Sequence, residues 1–186
     1  MAKLIMAWSK VKLEVGKTGA DDAMATDLFE LGVIKDKSTT LSSEDGDTLE
    51  AKATGGVVVA SEESEPVLTV ETTIMEQPFE IRKKLGGATV DDDGELVVNS
   101  NIIDDDYSFR LTPKNAGAMG IKARKAHLSI RPAYSEEEGN STVVTLKILQ
   151  CEDDELYRMF KVAAPATPET PETPETPETP ETPASE

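Results

Sequence analysis

The 186-residue chain carries 36 acidic and 19 basic side chains, which gives a net charge of −17 at pH 7. This charge argues against a protein that grips nucleic acid through its phosphates, because that contact needs a footprint of lysine and arginine. Since Cys151 is the only cysteine, no intramolecular disulfide is possible and a disulfide-stapled secreted scaffold is excluded.

The N-terminal residues predict neither a signal peptide nor a membrane anchor. The apolar run at residues 4–8 is too short for a signal-peptide core, and no stretch approaches the roughly 20 apolar residues of a membrane span. Because neither signal is found, we expect a protein made and kept in a cytosol, unless it leaves as part of an assembly.

Residues 11–15 alternate apolar and polar side chains, which predicts a half-buried strand.

The next segments predict strands separated by one long polar loop. Residues 28–34 form a largely apolar run interrupted by Glu30 and Gly32. Residues 35–55 form a long polar loop that predicts either an arm or an ordinary hairpin, and Asp45-Gly46 within it is a strong tight-turn signal. Residues 67–75 alternate valine, threonine and isoleucine and predict a long strand.

Residues 77–85 predict the one convincing helix. Pro78 is tolerated in a first turn, and Ile81 and Leu85 share one face at a spacing of four. Lys83 and Lys84 suit the C-terminal end of the helix dipole. Gly86 then supplies a left-handed stop.

The remainder of the folded body predicts more strands. Residues 91–94 predict a turn, and residues 104–106 an acidic patch before a strand at 107–111. Residues 121–132 predict a strand whose outer face is basic, and residues 142–149 and 156–162 predict two more. The basic residues on that outer face are Lys122, Arg124, Lys125 and Arg131. About eight strands and one helix predict a mainly β fold, a β-sandwich or barrel with one flanking α-helix.

The C-terminal residues predict a spacer rather than a domain. Residues 165–186 repeat Thr-Pro-Glu with a proline at every third position, which forbids both helix and sheet ladder. A disordered, polyproline-II-like tail would reach roughly 70 Å at about 3.1 Å per residue. The sequence therefore predicts a folded domain at 1–164 and a tail at 165–186. The six tail glutamates leave −17 + 6 = −11 on the domain.

The candidate chemical motifs do not support catalysis, a cofactor or a metal. Gly16-Lys17-Thr18 ends like a phosphate-binding loop, but Val11 stands where that motif needs its first glycine. The Asp91-Asp92-Asp93-Gly94 cluster lacks the spacing and distal glutamate of a calcium loop. One histidine, His127, and one cysteine build neither a zinc site nor a catalytic triad. We expect no enzyme activity, no bound cofactor and no metal.

The order of elements resembles that of the major tail (tail tube) proteins of long-tailed bacteriophages. The first similar part is the early strand at 31–34, followed by the polar loop and residues 44–48. The second is Gly55-Gly56-Val57, followed by the strand at 66–76 and the helix. The third is the set of closing strands at 126–134, 142–149 and 156–160, in which the acidic segment 149–155 lies between the last two. The resemblance covers roughly residues 8–162 as a pattern of elements, without a single signature motif.

The resemblance implies a structural virion protein whose hexameric rings stack into a hollow tube for genome ejection. Its partners would be further copies of itself, other tail proteins such as tape measure and terminator, and DNA that passes without specific binding. It would be made in the host bacterial cytoplasm and reside in the virion tail. The negative charge suits such a conduit, although an acidic surface also simply keeps a protein soluble.

The candidate ring-contact residues are the polar loop's Asp45, Gly46 and Asp47, together with Trp8. Trp8 is a large apolar side chain near a chain end, which a neighbouring subunit would cover. An alternative remains open: an immunoglobulin-like or carbohydrate- or protein-binding β-domain on a Pro/Thr-rich spacer. Aromatic side chains for sugar stacking are scarce, with four Phe, three Tyr and one Trp.

Overall fold

A computed structural model describes residues 10–75, 77–100, 102–136 and 139–163. Trp8 and the Thr-Pro-Glu tail lie outside the described residues, so the predictions made for them stay predictions. The described part is mainly β-structure with one α-helix and one short 3-10 helix, which confirms the predicted fold class.

Thirteen strands and two helices make up the described part of the chain. The strands are β1 (Val11–Lys17), β2 (Phe29–Glu30), β3 (Val33–Ile34), β4 (Thr40–Glu44), β5 (Thr48–Lys52), β6 (Val58–Glu63), β7 (Val67–Met75), β8 (Ala88–Val90), β9 (Leu96–Val98), β10 (Ile102–Pro113), β11 (Met119–Ser135), β12 (Gly139–Ile148) and β13 (Arg158–Lys161). The 3-10 helix is Ala20–Asp22 and the α-helix, α1, is Phe79–Leu85.

Nine strands form one antiparallel sheet, and the other four form two separate hairpins. The main path runs β2-β1-β10-β11-β12-β7-β3, while β4 also pairs with β7 and β13 also pairs with β11. β5 pairs only with β6, and β8 only with β9. The long strand β11 is the centre of the sheet, because β10 lies on one side of it and β12 and β13 share the other.

A six-residue segment brings the two ends of the sheet together. Phe29 pairs with Val15 at the β1 end of the path, and Ile34 pairs with Ile74 of β7 at the other end. Between them, Leu31 is 0% exposed, and its N–H donates to the carbonyl of Leu13 at 3.3 Å. The sheet is therefore curled around its core, and the segment at 29–34 joins its two edges.

The core fills the inside of this curl because the strands alternate as the sequence predicts. Leu128 stands opposite Leu146, which stands opposite Val70, and all three side chains are fully buried. One such row after another lines the inner face of the sheet. Phe109 of β10 is the largest fully buried side chain of the described residues.

The helix begins two residues later than the sequence predicts. Pro78 is extended (φ −60°, ψ 140°) and precedes the first helical residue instead of lying within the first turn. Leu85 enters the core, and Gly86 ends the helix at φ 90°, as expected of a glycine stop. The helix packs on the curl through Leu85, whose carbonyl accepts a hydrogen bond from the Tyr107 hydroxyl at 2.9 Å.

Arg82 is a buried charge on the helix that the sequence pattern does not indicate. Its guanidinium donates to the carbonyl of Gly86 at 2.6 Å and to that of Ser100 at 2.8 Å. Burial lowers the pKa of this guanidinium. The two bonds tie the C-terminal end of α1 to the segment that leads into β10.

Three of the four basic side chains on the predicted outer face of β11 pair with carboxylates. Tyr107 and Phe109 of β10 pair with Ala126 and Ala123 of β11. Two residues of β11, Arg124 and Lys125, therefore lie opposite a single residue of β10, which is a β-bulge. Arg124 pairs with Asp153 and Glu155, and Lys125 pairs with Asp22 at 2.9 Å. On the same strand, Arg131 pairs with Glu71 at 2.9 Å.

Two local predictions are wrong. The acidic residues 104–106 lie inside β10 instead of before it, because β10 continues through them beside β11. Residues 35–55 are not one loop, since they contain β4 and β5. The pairing of β4 with β7 is a tertiary contact that polar local composition does not reveal.

Gly32→Ala tests the joint between the two sheet edges. Gly32 has φ 132°, and an added Cβ would lie 2.9 Å from Cγ2 of Ile74. Gly94→Ala is the matched control, because Gly94 also has positive φ (82°) but nothing within 4 Å. We expect a loss of about 1 kcal/mol in unfolding free energy for Gly94→Ala, from backbone strain alone. Gly32→Ala should lose about 2 kcal/mol more through overpacking, and equal losses in denaturant titrations would contradict this.

Asp22→Asn tests the ion pair beside the bulge. The hydrogen bond from Lys125, followed by the one from the Glu152 N–H, lowers the pKa of the Asp22 carboxyl. A carboxyl with a lowered folded-state pKa contributes stability at neutral pH that is lost as the pH falls through that pKa. Wild type should therefore be the more stable at pH 7, and the difference should shrink as the pH falls below about 3.9, the usual pKa of an aspartate carboxyl. Denaturant titrations across pH, with Asp92→Asn as a control in an exposed turn, check this; a difference independent of pH would contradict it.

Candidate assembly site

Beyond the curled sheet the chain extends a hairpin whose two strands are exposed along their whole length. We call residues 45–65 the arm: β5, β6, the turn between them and the short links to β4 and β7. Every residue of β5 and β6 is exposed, including apolar ones such as Leu49 (72%) and Val59 (64%). From Asp47 to the turn, the arm projects about 25 Å at about 3.3 Å per residue.

Two glycines form the tip of the arm. Gly55 and Gly56 have φ of 99° and 81°, a region that side-chain-bearing residues rarely occupy. The Ala53 N–H donates to the Val57 carbonyl at 2.8 Å, and the Gly56 N–H donates to the Ala53 carbonyl at 3.0 Å. The chain reversal therefore lies at Gly55-Gly56 and not at Asp45-Gly46, where the sequence predicted it.

Asp45, Gly46 and Asp47 instead form the junction between the arm and the sheet. Both the N–H and the hydroxyl of Ser64 donate to the Asp47 carbonyl, each at 3.0 Å. An added Cβ on Gly46 would lie 1.9 Å from the Ser64 carbonyl oxygen, so only glycine allows the two chains to approach this closely. The predicted contact residues thus lie together at the base of the arm, while Trp8 lies outside the described residues.

The arm is strongly acidic. Residues 45–65 contain six carboxylates and one lysine, Lys52, so the net charge of the arm is 1 − 6 = −5. The six are Asp45, Asp47, Glu50, Glu62, Glu63 and Glu65. Lys52 is already paired with Glu50 at 2.9 Å. A partner for the arm therefore needs positive charge.

The physical chemistry of the arm points to a binding role. An isolated two-stranded hairpin is marginally stable in water, since it buries almost no apolar surface. Its outer strand edges present unpaired backbone groups, and its apolar side chains gain by being covered. An arm of this kind becomes fully ordered when another surface receives it.

The cysteine and the acidic turn at 91–95 have structural surroundings in the described residues. Cys151 is buried, which raises the pKa of its thiol and disfavours the thiolate needed of a nucleophile. In the described ranges, no three His, Cys, Asp or Glu side chains converge as a metal site requires. The Asp91 carboxylate accepts from the N–H groups of Asp93 and Glu95, which is the geometry of a turn.

No protein-family model matches the chain, and no curated protein matches it. Among the described residues, no helix combines the length and apolar composition that crossing a membrane requires.

Gly46→Ala tests whether the junction holds the arm in its described form. The added methyl must push Ser64 away and break its bonds to Asp47, while the core of the sheet is untouched. We expect amide hydrogen exchange at Ser64 and Ala53 to accelerate about tenfold or more, with β11 amides unchanged. Ser64→Ala, which removes only the hydroxyl bond, is the milder control. Unchanged exchange at Ser64 in Gly46→Ala would contradict the described junction.

Proposed function

We propose that this chain is a structural, self-assembling subunit of the tail tube of a long-tailed bacteriophage, and that its arm makes contacts between copies. The observation that carries the proposal is the arm itself. It is a fully exposed hairpin fixed through β4 and β7 to a curled sheet with one flanking helix. This architecture agrees with the order of elements on which the resemblance rests.

The free strand edges support assembly. Among the described residues, β4 pairs only with β7, and β13 pairs only with β11, so each leaves one edge of the sheet without a strand. Monomeric proteins usually blunt or cover such edges, because they template further pairing. Closure of copies into a ring covers edges by symmetry and also gives the arms a surface to lie on.

The charge supports a conduit for DNA. The domain at 1–164 carries −11, and the basic side chains Arg124, Lys125 and Arg131 of β11 are all paired with carboxylates. Paired cations offer fewer contacts to phosphates, on which nonspecific DNA binding depends. In this proposal the role is mechanical, and the partners are other copies, tail proteins and DNA in transit.

Electron microscopy with light scattering, on the full chain and on an arm-shortened variant, tests the proposal. The variant replaces residues 48–63 with Asn-Gly, a two-residue turn that joins the hydrogen-bonded pair Asp47 and Ser64. We expect rings or hollow tubes from the full chain. The variant should remain a monomer with an unchanged melting temperature, because the removed strands bury nothing.

Two results would overturn the proposal. One is a full chain that remains a 20.0 kDa monomer at high concentration, which would direct attention to a glycan-binding screen. The other is an arm-shortened variant that assembles as well as the full chain.

A further inference from the structure

Strand β4 has one edge that no strand of the described residues covers. Among those residues it pairs with β7 alone, and four of its five residues are exposed. Leu41 is the exception, since its side chain packs against the core. The uncovered edge offers backbone donors and acceptors to a further strand.

Two residues of β4 direct their backbone groups towards this edge. On β7, Thr73 faces β4, because its carbonyl accepts a backbone N–H from the segment before β4 at 2.8 Å. Glu71 lies two residues away and faces the same side, so it bonds its partner Thr40. Backbone groups alternate in direction along an antiparallel strand. Leu41 and Ser43 therefore direct their N–H and carbonyl groups away from β7.

A groove leads from the start of β1 to the uncovered edge. Its cavity volume is about 550 Å³, and its walls are Lys10 and Val11 on one side and the chain from Glu30 to Thr39 on the other. Thr39 directly precedes β4. The first described range begins at Lys10, so the preceding residues leave from the wall of the groove itself.

The start of β1 runs antiparallel to the segment that follows β2. The Leu31 N–H donates to the Leu13 carbonyl at 3.3 Å. Two residues further along each chain, Val11 packs against the core but Val33 is 70% exposed. Ile34 packs against the core instead, a shift by one residue at the intervening glycine, which has φ 132°. Ile34 is therefore the residue level with Val11.

This level places the chain before β1 beside β4. Along β7, Ile34 pairs with Ile74. Thr40 pairs with Glu71, which is 74 − 71 = 3 residues further along. An extension of β1 therefore comes level with Thr40 at residue 11 − 3 = 8. Residues 4–8 then lie along the five residues of β4 and antiparallel to them.

Residues 4–8 have the composition of such a strand. The run Leu-Ile-Met-Ala-Trp is uncharged, contains neither glycine nor proline, and includes β-branched and aromatic side chains that favour strands. Side chains alternate along a strand, and Leu13 of β1 is buried, so Ile5 and Ala7 of a continuous strand face the core as well. Ala7 then stands opposite Leu41, whose side chain faces the core and whose N–H faces the uncovered edge.

We propose that residues 4–8 form a further strand, continuous with β1 and antiparallel to β4 of the same molecule. This strand closes the curl beyond the segment at 29–34, because β1 and β4 lie towards opposite ends of the sheet. A segment tethered in the groove wall is present there at high effective concentration, which favours the molecule's own chain over that of a neighbour. The inference goes beyond the proposed function, and it leaves the arm and the free edge of β13 for other copies.

Amide hydrogen exchange at Leu41 tests the strand. The full chain should protect this outward-facing amide, and a variant that lacks residues 2–8 should exchange it about tenfold or more faster. The Leu128 amide, in the centre of the sheet, should be unchanged. A variant that lacks residues 165–186 is the matched control, because it removes a segment at the other end of the chain and should leave Leu41 protected.

An engineered disulfide tests the register and the source of the strand. Met6 falls opposite Ser42, in a pair whose backbone groups do not bond each other, and side chains approach most closely in such pairs. Met6→Cys with Ser42→Cys should form a disulfide within one molecule when oxidised glutathione is added. Met6→Cys with Asp92→Cys is the control and should bridge at least tenfold more slowly. Non-reducing electrophoresis and peptide mass spectrometry on dilute protein identify the bridges.

Three results would overturn the inference. The first is a Leu41 amide that exchanges as fast in the full chain as in the variant without residues 2–8. The second is a 6–42 pair that bridges no faster than the 6–92 pair. The third is a 6–42 bridge that forms only between molecules, which would assign the segment to a neighbour's β4. None of these results depends on whether the chain forms rings or tubes, so failure of the inference and failure of the proposed function are distinguishable.

Discussion

The joining of the two sheet edges by residues 29–34 is the constraint on which the rest of the structure depends. Leu31 fills the interior between β1 and β7, and Gly32 allows Ile74 to approach. Without this joint the sheet would be an open surface with its inner rows partly in water. With it, the sheet encloses a core, and the arm starts from a fixed position on its rim.

The arm and the joint are linked through β7. One end of β7 pairs with β3, and the other end pairs with β4, which leads into the arm. The core is therefore completed by the strand that also carries the exposed hairpin. Val70 and Ile74 of β7 face the core, whereas the residues that precede Val67 belong to the exposed arm.

The sequence predicts the elements whose side chains alternate against the core. Leu128 and Ile130 of β11 mark the inner face of that strand, and Ile81 and Leu85 mark that of the helix. The sequence indicates an arm or a hairpin at 35–55 but not the strands β5 and β6, because strands exposed on both faces carry no apolar alternation. The Asp45-Gly46 turn signal was overridden by the pairing of Asp47 with Ser64, which lies 17 residues away.

The ladder between β7 and β12 has a mechanical consequence. It contains seven residue pairs, from Thr69 opposite Lys147 to Met75 opposite Ser141, and it runs along the same axis as the strand that continues into the arm. A pull on the tip of the arm therefore loads these hydrogen bonds in shear, all at once, instead of opening them one by one. Tension between neighbouring molecules would be carried through β7 into the centre of the sheet.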